Sequence, residues 1–207
     1  MPDWDATYAQ APAGLFGSEP NEYLREIMAR SDVRLRTALC LADGDGRNSR
    51  FLAALGVRVT AVDLSSVAVA NGQALDALAG LTVERFAADL DTWRPPAGRT
   101  WDAVFLMYLQ APWPTRRAAL AAGWSALAAG GWMVLEGFAD TPQPSTLGPG
   151  KSELLYRLDM TLAELPDHDI VEALTGRVRL SEGPRHRGLA DVIRLAVRKP
   201  LQANSTA

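Results

Sequence analysis

Short apolar runs alternate with segments of helical spacing through the first two thirds of the chain. Tyr23, Leu24, Ile27 and Met28, just after Pro20, share one helix face. Thr37–Ala42 is an apolar run that stops at Asp43-Gly44-Asp45-Gly46, which predicts a buried strand entering a glycine turn. Phe51, Leu52 and Leu55 mark a helix that Gly56 closes. Val57–Val62, rich in β-branched residues, predicts a second strand. Ser65 or Ser66 suits the N-cap of a helix reaching about Leu78, and Leu81–Ala87 reads as a third strand, followed by Asp89. After the loop Pro95–Gly98, Ala103–Met107 predicts a fourth strand. Pro114 suits a helix first turn, with Leu120, Trp124 and Leu127 on one face. Gly130-Gly131 is expected to end that helix before a fifth strand, Trp132–Phe138.

Buried strands in regular alternation with helices predict an α/β fold with a doubly wound, mostly parallel sheet. The last third differs. Residues 140–152, rich in Pro, Gly, Ser and Thr, predict a long exposed loop, with Thr141–Ser152 expected to be mobile without substrate. Thr161 and Glu164 have capping-box spacing for a short helix. Two strand-like segments follow, about Ile170–Ser181 and Ala190–Arg198. The link Glu182–Gly188 is too short for a crossover helix, so this pair must be antiparallel. The expected sheet has seven strands and ends in a hairpin.

Length supports one domain over 1–200, and 201–207 reads as a polar tail. A formal charge of −3 argues against a dedicated nucleic-acid binder. The one cysteine, Cys40, can form no internal disulfide, and no Cys/His cluster suggests a metal site. Ala118–Leu135 is free of charge, but its alanines and Gly130-Gly131 fit a helix, a turn and a strand better than a membrane span. The acidic opening MPDWD is unlike a signal peptide, so a cytoplasmic protein is expected, as a monomer or homodimer with a small-molecule substrate.

Candidate chemistry begins at the end of the first strand. Gly44-x-Gly46 lets a ligand approach the backbone and the free N–H groups of the next helix. Asp63 closes the second strand, where a carboxylate can accept both hydroxyls of a ribose. Together they indicate an adenosine-containing ligand at the sheet's switch point. Ser49, three positions after Gly46, leaves a dinucleotide open. Asp89, placed to accept from an adenine amino group, favours S-adenosylmethionine. So do the terminal hairpin, the lack of room for a second substrate domain and the absence of Tyr-x-x-x-Lys. A nicotinamide-dependent oxidoreductase and a non-catalytic S-adenosylmethionine-binding regulator remain as rivals.

Leu39-Cys-Leu-Ala-Asp-Gly-Asp-Gly-Arg-Asn48, with Val59–Ser65 and Ala88-Asp-Leu90, resembles class I S-adenosylmethionine-dependent methyltransferases. Gly46-Arg47-Asn48 is similar to the tellurite-resistance branch, related to the thiopurine methyltransferases. Trp4-Asp-x-x-Tyr8, Glu19-Pro-Asn21, His186-Arg-Gly188 and Arg198-Lys-Pro200 also fit that branch. The resemblance implies an N-terminal lid over about 1–30, with Trp4 and Tyr8 lying over the cofactor. Gly44 and Gly46 would pass beneath it, with Arg47 and Asn48 opening the helix below. Asp63 would grip the ribose, with Leu64 on the adenine and Ser65 beside them; Asp89 and Leu90 would read the adenine edge. Met107, Tyr108, Leu109 and Gln110 would face the methionine end and the substrate. Cys40 stands where many relatives carry an acidic residue, and Asp43 is the candidate for the missing charge.

Tyr108-Leu-Gln-Ala-Pro112 is not the Asp- or Asn-Pro-Pro motif of nitrogen-directed enzymes. No general base is evident there. A soft nucleophile already ionised near neutral pH is expected: a thiolate or a selenium or tellurium species, with a carboxylate also open. His186, Arg187 and Lys151 are candidate cations for such a nucleophile, Tyr108 the first residue to test as a base, and Trp113 a candidate pocket wall.

Overall fold

The apolar runs become the inner strands of one seven-stranded sheet, ordered β3-β2-β1-β4-β5-β7-β6. The computed structural model describes residues 3–201 except 13, 143, 144 and 146. The strands are β1 (Thr37–Leu41), β2 (Arg58–Asp63), β3 (Glu84–Ala87), β4 (Trp101–Met107), β5 (Leu127–Phe138), β6 (Asp169–Ser181) and β7 (Arg187–Arg198). The helices are α1 (Trp4–Ala9), α2 (Glu22–Ala29), α3 (Arg47–Ala54), α4 (Ser66–Ala79), α5 (Trp113–Ala126) and α6 (Leu158–Ala163). The first five strands pair in parallel; β7 is antiparallel to β5 and β6, as the short link required. Among the described residues no helix is long and apolar enough to cross a membrane.

Strand periodicity sorts the core into two layers. Leu39, Leu41, Val104, Leu106, Met133 and Leu135 face α5, with Leu120 and Trp124 packed against them. Ala38, Cys40, Ala61, Phe105 and Val134 face the other way, against Tyr23, Leu24 and Ile27 of α2 and Leu52 of α3. Cys40 is therefore a buried apolar residue, and burial pushes the pKa of its thiol up.

Several boundaries depart from expectation. Leu81 belongs to the end of α4 rather than to a strand: Gly80 turns left-handed at φ 65° and the Leu81 N–H bonds back to Asp76 O. Helix α5 stops at Ala126, where Leu127 turns extended, so Gly130-Gly131 does not end it. Those glycines bond instead to Lys199, Gly130 N–H to its carbonyl and Lys199 N–H to Gly131 O. Thr161 lies inside α6, its hydroxyl on Arg157 O, and is no N-cap. The expected mobile segment 141–152 lies partly outside the described residues; of those described, Ser145 donates its N–H to Asp191 at 2.8 Å. Arg116 grips the carbonyls of Glu153 and Leu155 just beyond it.

Candidate active site

Because β1 is followed in the sheet by β2 on one side and β4 on the other, a crevice opens beyond their carboxyl ends. It encloses about 910 Å³, open solvent included, and is lined by residues from every segment that follows β1 to β4.

Asp63 closes β2 inside this cleft. Gly44 N–H donates to Oδ2 at 2.7 Å and Ser65 N–H to Oδ1 at 2.8 Å, which fixes the carboxylate and leaves each oxygen a second lone pair. Burial pushes its pKa up to about 6. Leu64, Asp89 and Leu90 line the same side. Gly44 sits at φ 60°, and a Cβ there would collide with the Tyr8 hydroxyl oxygen. Tyr8 and Trp4 of α1 close the cleft from above, with ring centroids 6.0 Å apart. Asp5 anchors that helix, accepting from the Ser65 hydroxyl at 2.6 Å and from Val67 N–H at the start of α4.

Asp43 lines the cleft, and one of its oxygens, Oδ1, is buried and without a hydrogen-bond partner. Its other oxygen pairs with Arg85 at 2.9 Å. That guanidinium is buried and also forks onto both oxygens of Asp76 and onto the Ser49 hydroxyl. Burial raises the Asp43 pKa despite the arginine. The Arg85 network, which no local sequence pattern marks, explains Gly46: a Cβ there would collide with the guanidinium.

The opposite wall is assembled from distant segments. Tyr108, just after β4, takes φ 58°, unusual for a non-glycine residue, and its ring lies 4.3 Å from that of His186. The Tyr108 hydroxyl is buried near Glu136 with no well-formed hydrogen bond, and burial beside that carboxylate raises its pKa well above the usual phenol range. His186 comes from the β6–β7 turn, and Phe16 stacks beside it at 5.2 Å. Arg47 Nη2 donates to Glu182 Oε2 at 3.0 Å and lies 3.2 Å from His186 Nδ1. Asn21, fully buried, bridges Glu136 and Glu182 through Nδ2, while its backbone N–H meets Asn48 Oδ1 at 2.8 Å. Glu136 is matched in turn by Arg194 at 2.7 Å.

The cleft thus brings together Trp4, Tyr8, Asp43, Gly44, Arg47, Asn48, Asp63, Leu64, Asp89, Leu90, Met107, Tyr108, Leu109 and His186 of the sequence candidates. Five others stay off its lining. Ser65 caps α4, and Gly46 faces Arg85. Arg187 is exposed and pairs with Ser181, because β7 already begins there and neighbours in a strand point to opposite sides. Lys151 is exposed. Trp113 also lies off the lining and stacks under Arg116 instead. The expected cluster of cations is therefore not assembled at the cleft. Asp45, which the sequence did not single out, lines the cleft and accepts from Leu15 N–H at 2.9 Å.

Residues 38–131, from β1 into β5, match the family described as a methyltransferase domain. That match and the sheet order together support a class I methyltransferase fold over this part of the chain. Among solved structures, one described under the conversion of a disulfide bond into a thioacetal group during echinomycin biosynthesis superposes with a TM-score of 0.72 at 18% identity. The match covers 98% of this chain and 92% of that one. TehB from Haemophilus influenzae gives 0.63 at 16% identity, over 94% of this chain and 66% of the other. The N-methyltransferase NodS from Bradyrhizobium japonicum WM9 gives 0.64 at 16%, over 86% and 93%. No curated protein sequence matches the chain.

Proposed function

We propose that the protein transfers a methyl group from S-adenosylmethionine to a small molecule through a soft nucleophile: a thiol, or a selenium or tellurium species. Several features suit the cofactor. Asp63 has lone pairs free for two ribose hydroxyls, and Leu64 and Leu90 would flank the adenine, with Asp89 at its amino edge. The unpartnered Asp43 Oδ1 would take the methionine ammonium, the charge that Cys40 cannot supply. Bound S-adenosylmethionine supplies an electrophilic methyl group on a cationic sulfur, so the acceptor's lone pair bonds to carbon as the carbon–sulfur pair returns to sulfur. With an anionic acceptor that step neutralises charge, and the protein's task is to orient the reactants and exclude water.

The acceptor class rests on one observation: among the described residues, the wall around Tyr108 and His186 offers no free carboxylate. Glu182 is engaged by Arg47, Asn21 and Glu22 N–H. Glu136 is engaged by Arg194 and Asn21. The Tyr108 phenol is held protonated by burial. A protonated amine would need a base here; a thiol near its own pKa would not. The similar structure concerned with a disulfide supports sulfur as the reacting atom. The test is release of S-adenosylhomocysteine from thiols, chalcogen oxyanions, carboxylates and amines. Turnover confined to thiols or the heavier chalcogens is expected. Turnover confined to amines would overturn the acceptor class, and tight cofactor binding without turnover of any acceptor would favour a regulatory protein.

A further inference from the structure

We propose that Arg47 fixes His186 as the tautomer protonated on Nε2, so that the histidine offers the acceptor a hydrogen-bond donor and no base. Catalysis is then confined to acceptors that arrive ionised or with no proton to lose. The proposal rests on the soft-nucleophile reading above and adds the device that enforces it.

The geometry carries it. Arg47 Nη2 lies 3.2 Å from His186 Nδ1, and a guanidinium only donates, so Nδ1 must present its lone pair. The ring proton then resides on Nε2. Arg47 is itself held in place, with Nη1 donating to Glu19 O at 3.0 Å and Glu182 O at 3.1 Å. Glu182 Oε2, the competing partner, stands farther from Nδ1, at 3.5 Å, and already accepts from Arg47 and Asn21. Tyr108 and Phe138 pack the ring from the sheet and Phe16 from the N-terminal segment, and none of these carries a charge to it. Arg47 and Glu182 are therefore the charged groups that face the imidazole. Burial and the Arg47 charge together outweigh Glu182 and hold the His186 pKa below its ordinary value, so the ring is neutral at pH 7. No proton changes hands when an ionised acceptor takes the methyl group, which suits a wall without a base.

The chain holds two histidines, His168 and His186, so long-range proton–nitrogen NMR of the protein with S-adenosylhomocysteine reads the tautomer directly. At pH 7 a protonated Nε2 and bare Nδ1 on His186 are expected; a proton on Nδ1, shared with Glu182, would overturn the proposal. In Arg47→Met the proton should move to Nδ1, toward Glu182, and an unmoved tautomer would remove Arg47 from the role. Kinetics add a second readout with an ionised aromatic thiol. His186→Gln, which keeps a donor, should retain activity, while His186→Ala should lose about tenfold or more in kcat/KM, the scale of one hydrogen bond to an anion. Equal losses in both, with a wild-type pH profile showing one enzymatic limb independent of thiol acidity, would mark His186 as a base. If no thiol is turned over, the soft-nucleophile reading fails, while the NMR result still decides the tautomer.

Discussion

Asp63 shows how one residue links sequence, burial and function. Its place at the end of β2, following the Gly44 turn, marks it as a candidate ribose ligand in the sequence alone. Its burial does not show there. With a folded-state pKa of about 6 against an ordinary 3.8, the folded protein binds this proton more tightly than the unfolded chain does. Its contribution to stability is therefore full below about pH 4 and declines as pH rises to about 6. If Asp63 holds the ribose as proposed, ligand binding runs the other way, because two hydroxyl donors need the ionised carboxylate. Affinity for S-adenosylhomocysteine should be flat above about pH 7 and fall as pH drops through about 6. Asp63→Ala should weaken it by ~1.5–3 kcal/mol and flatten that pH dependence, both read by calorimetric titration. Undiminished binding would remove Asp63 from the site. Arg85 lies at the other extreme of legibility: its partners Asp43, Ser49 and Asp76 come from three segments, and nothing local marks them. Arg85→Ala would leave Asp43 buried without its ion-pair partner and Asp76 with Arg50 alone, at 3.5 Å, and should cost about 3–5 kcal/mol in urea unfolding.

Among the elements, the inner strands were the most legible, because strands buried on both faces read as unbroken apolar runs. Their neighbours were less so. Helix α1, Trp4–Ala9, has no apolar stripe; it forms where Asp3 caps it and where Asp5 bonds to the start of α4. The two glycines after α5 looked like a helix stop but serve the pairing with Lys199. His186-Arg187 looked like a pair, yet the early start of β7 sends only His186 into the cleft. Because α1 packs chiefly on α4 and supplies Trp4 and Tyr8 to the cleft, its removal should spare the sheet and damage the site. A chain lacking residues 1–9 should keep its circular dichroism spectrum and bind S-adenosylhomocysteine at least about tenfold more weakly, since each apolar side chain lifted from a ligand removes roughly 1.5 kcal/mol or more. Unchanged affinity would show that α1 is not part of the binding wall.

For the molecule as a whole, the sheet order places one cleft where four chain segments converge, and the acceptor wall is completed by the N-terminal segment and the last hairpin. Asn21 ties these together by reaching α3 through Asn48, β5 through Glu136 and the hairpin through Glu182. Such a wall can be read only after folding, since its members are spread along the chain from Phe16 to Arg194. The reaction proposed for this cleft is methyl transfer to a soft nucleophile. The most direct measurement uses S-adenosylmethionine labelled in its methyl group, with a small thiol as acceptor and mass spectrometry of the product. The intact labelled methyl is expected on sulfur, with S-adenosylhomocysteine formed in equal amount. A label that stays on bound cofactor with every thiol, selenium and tellurium acceptor, or that appears only on nitrogen, would contradict it.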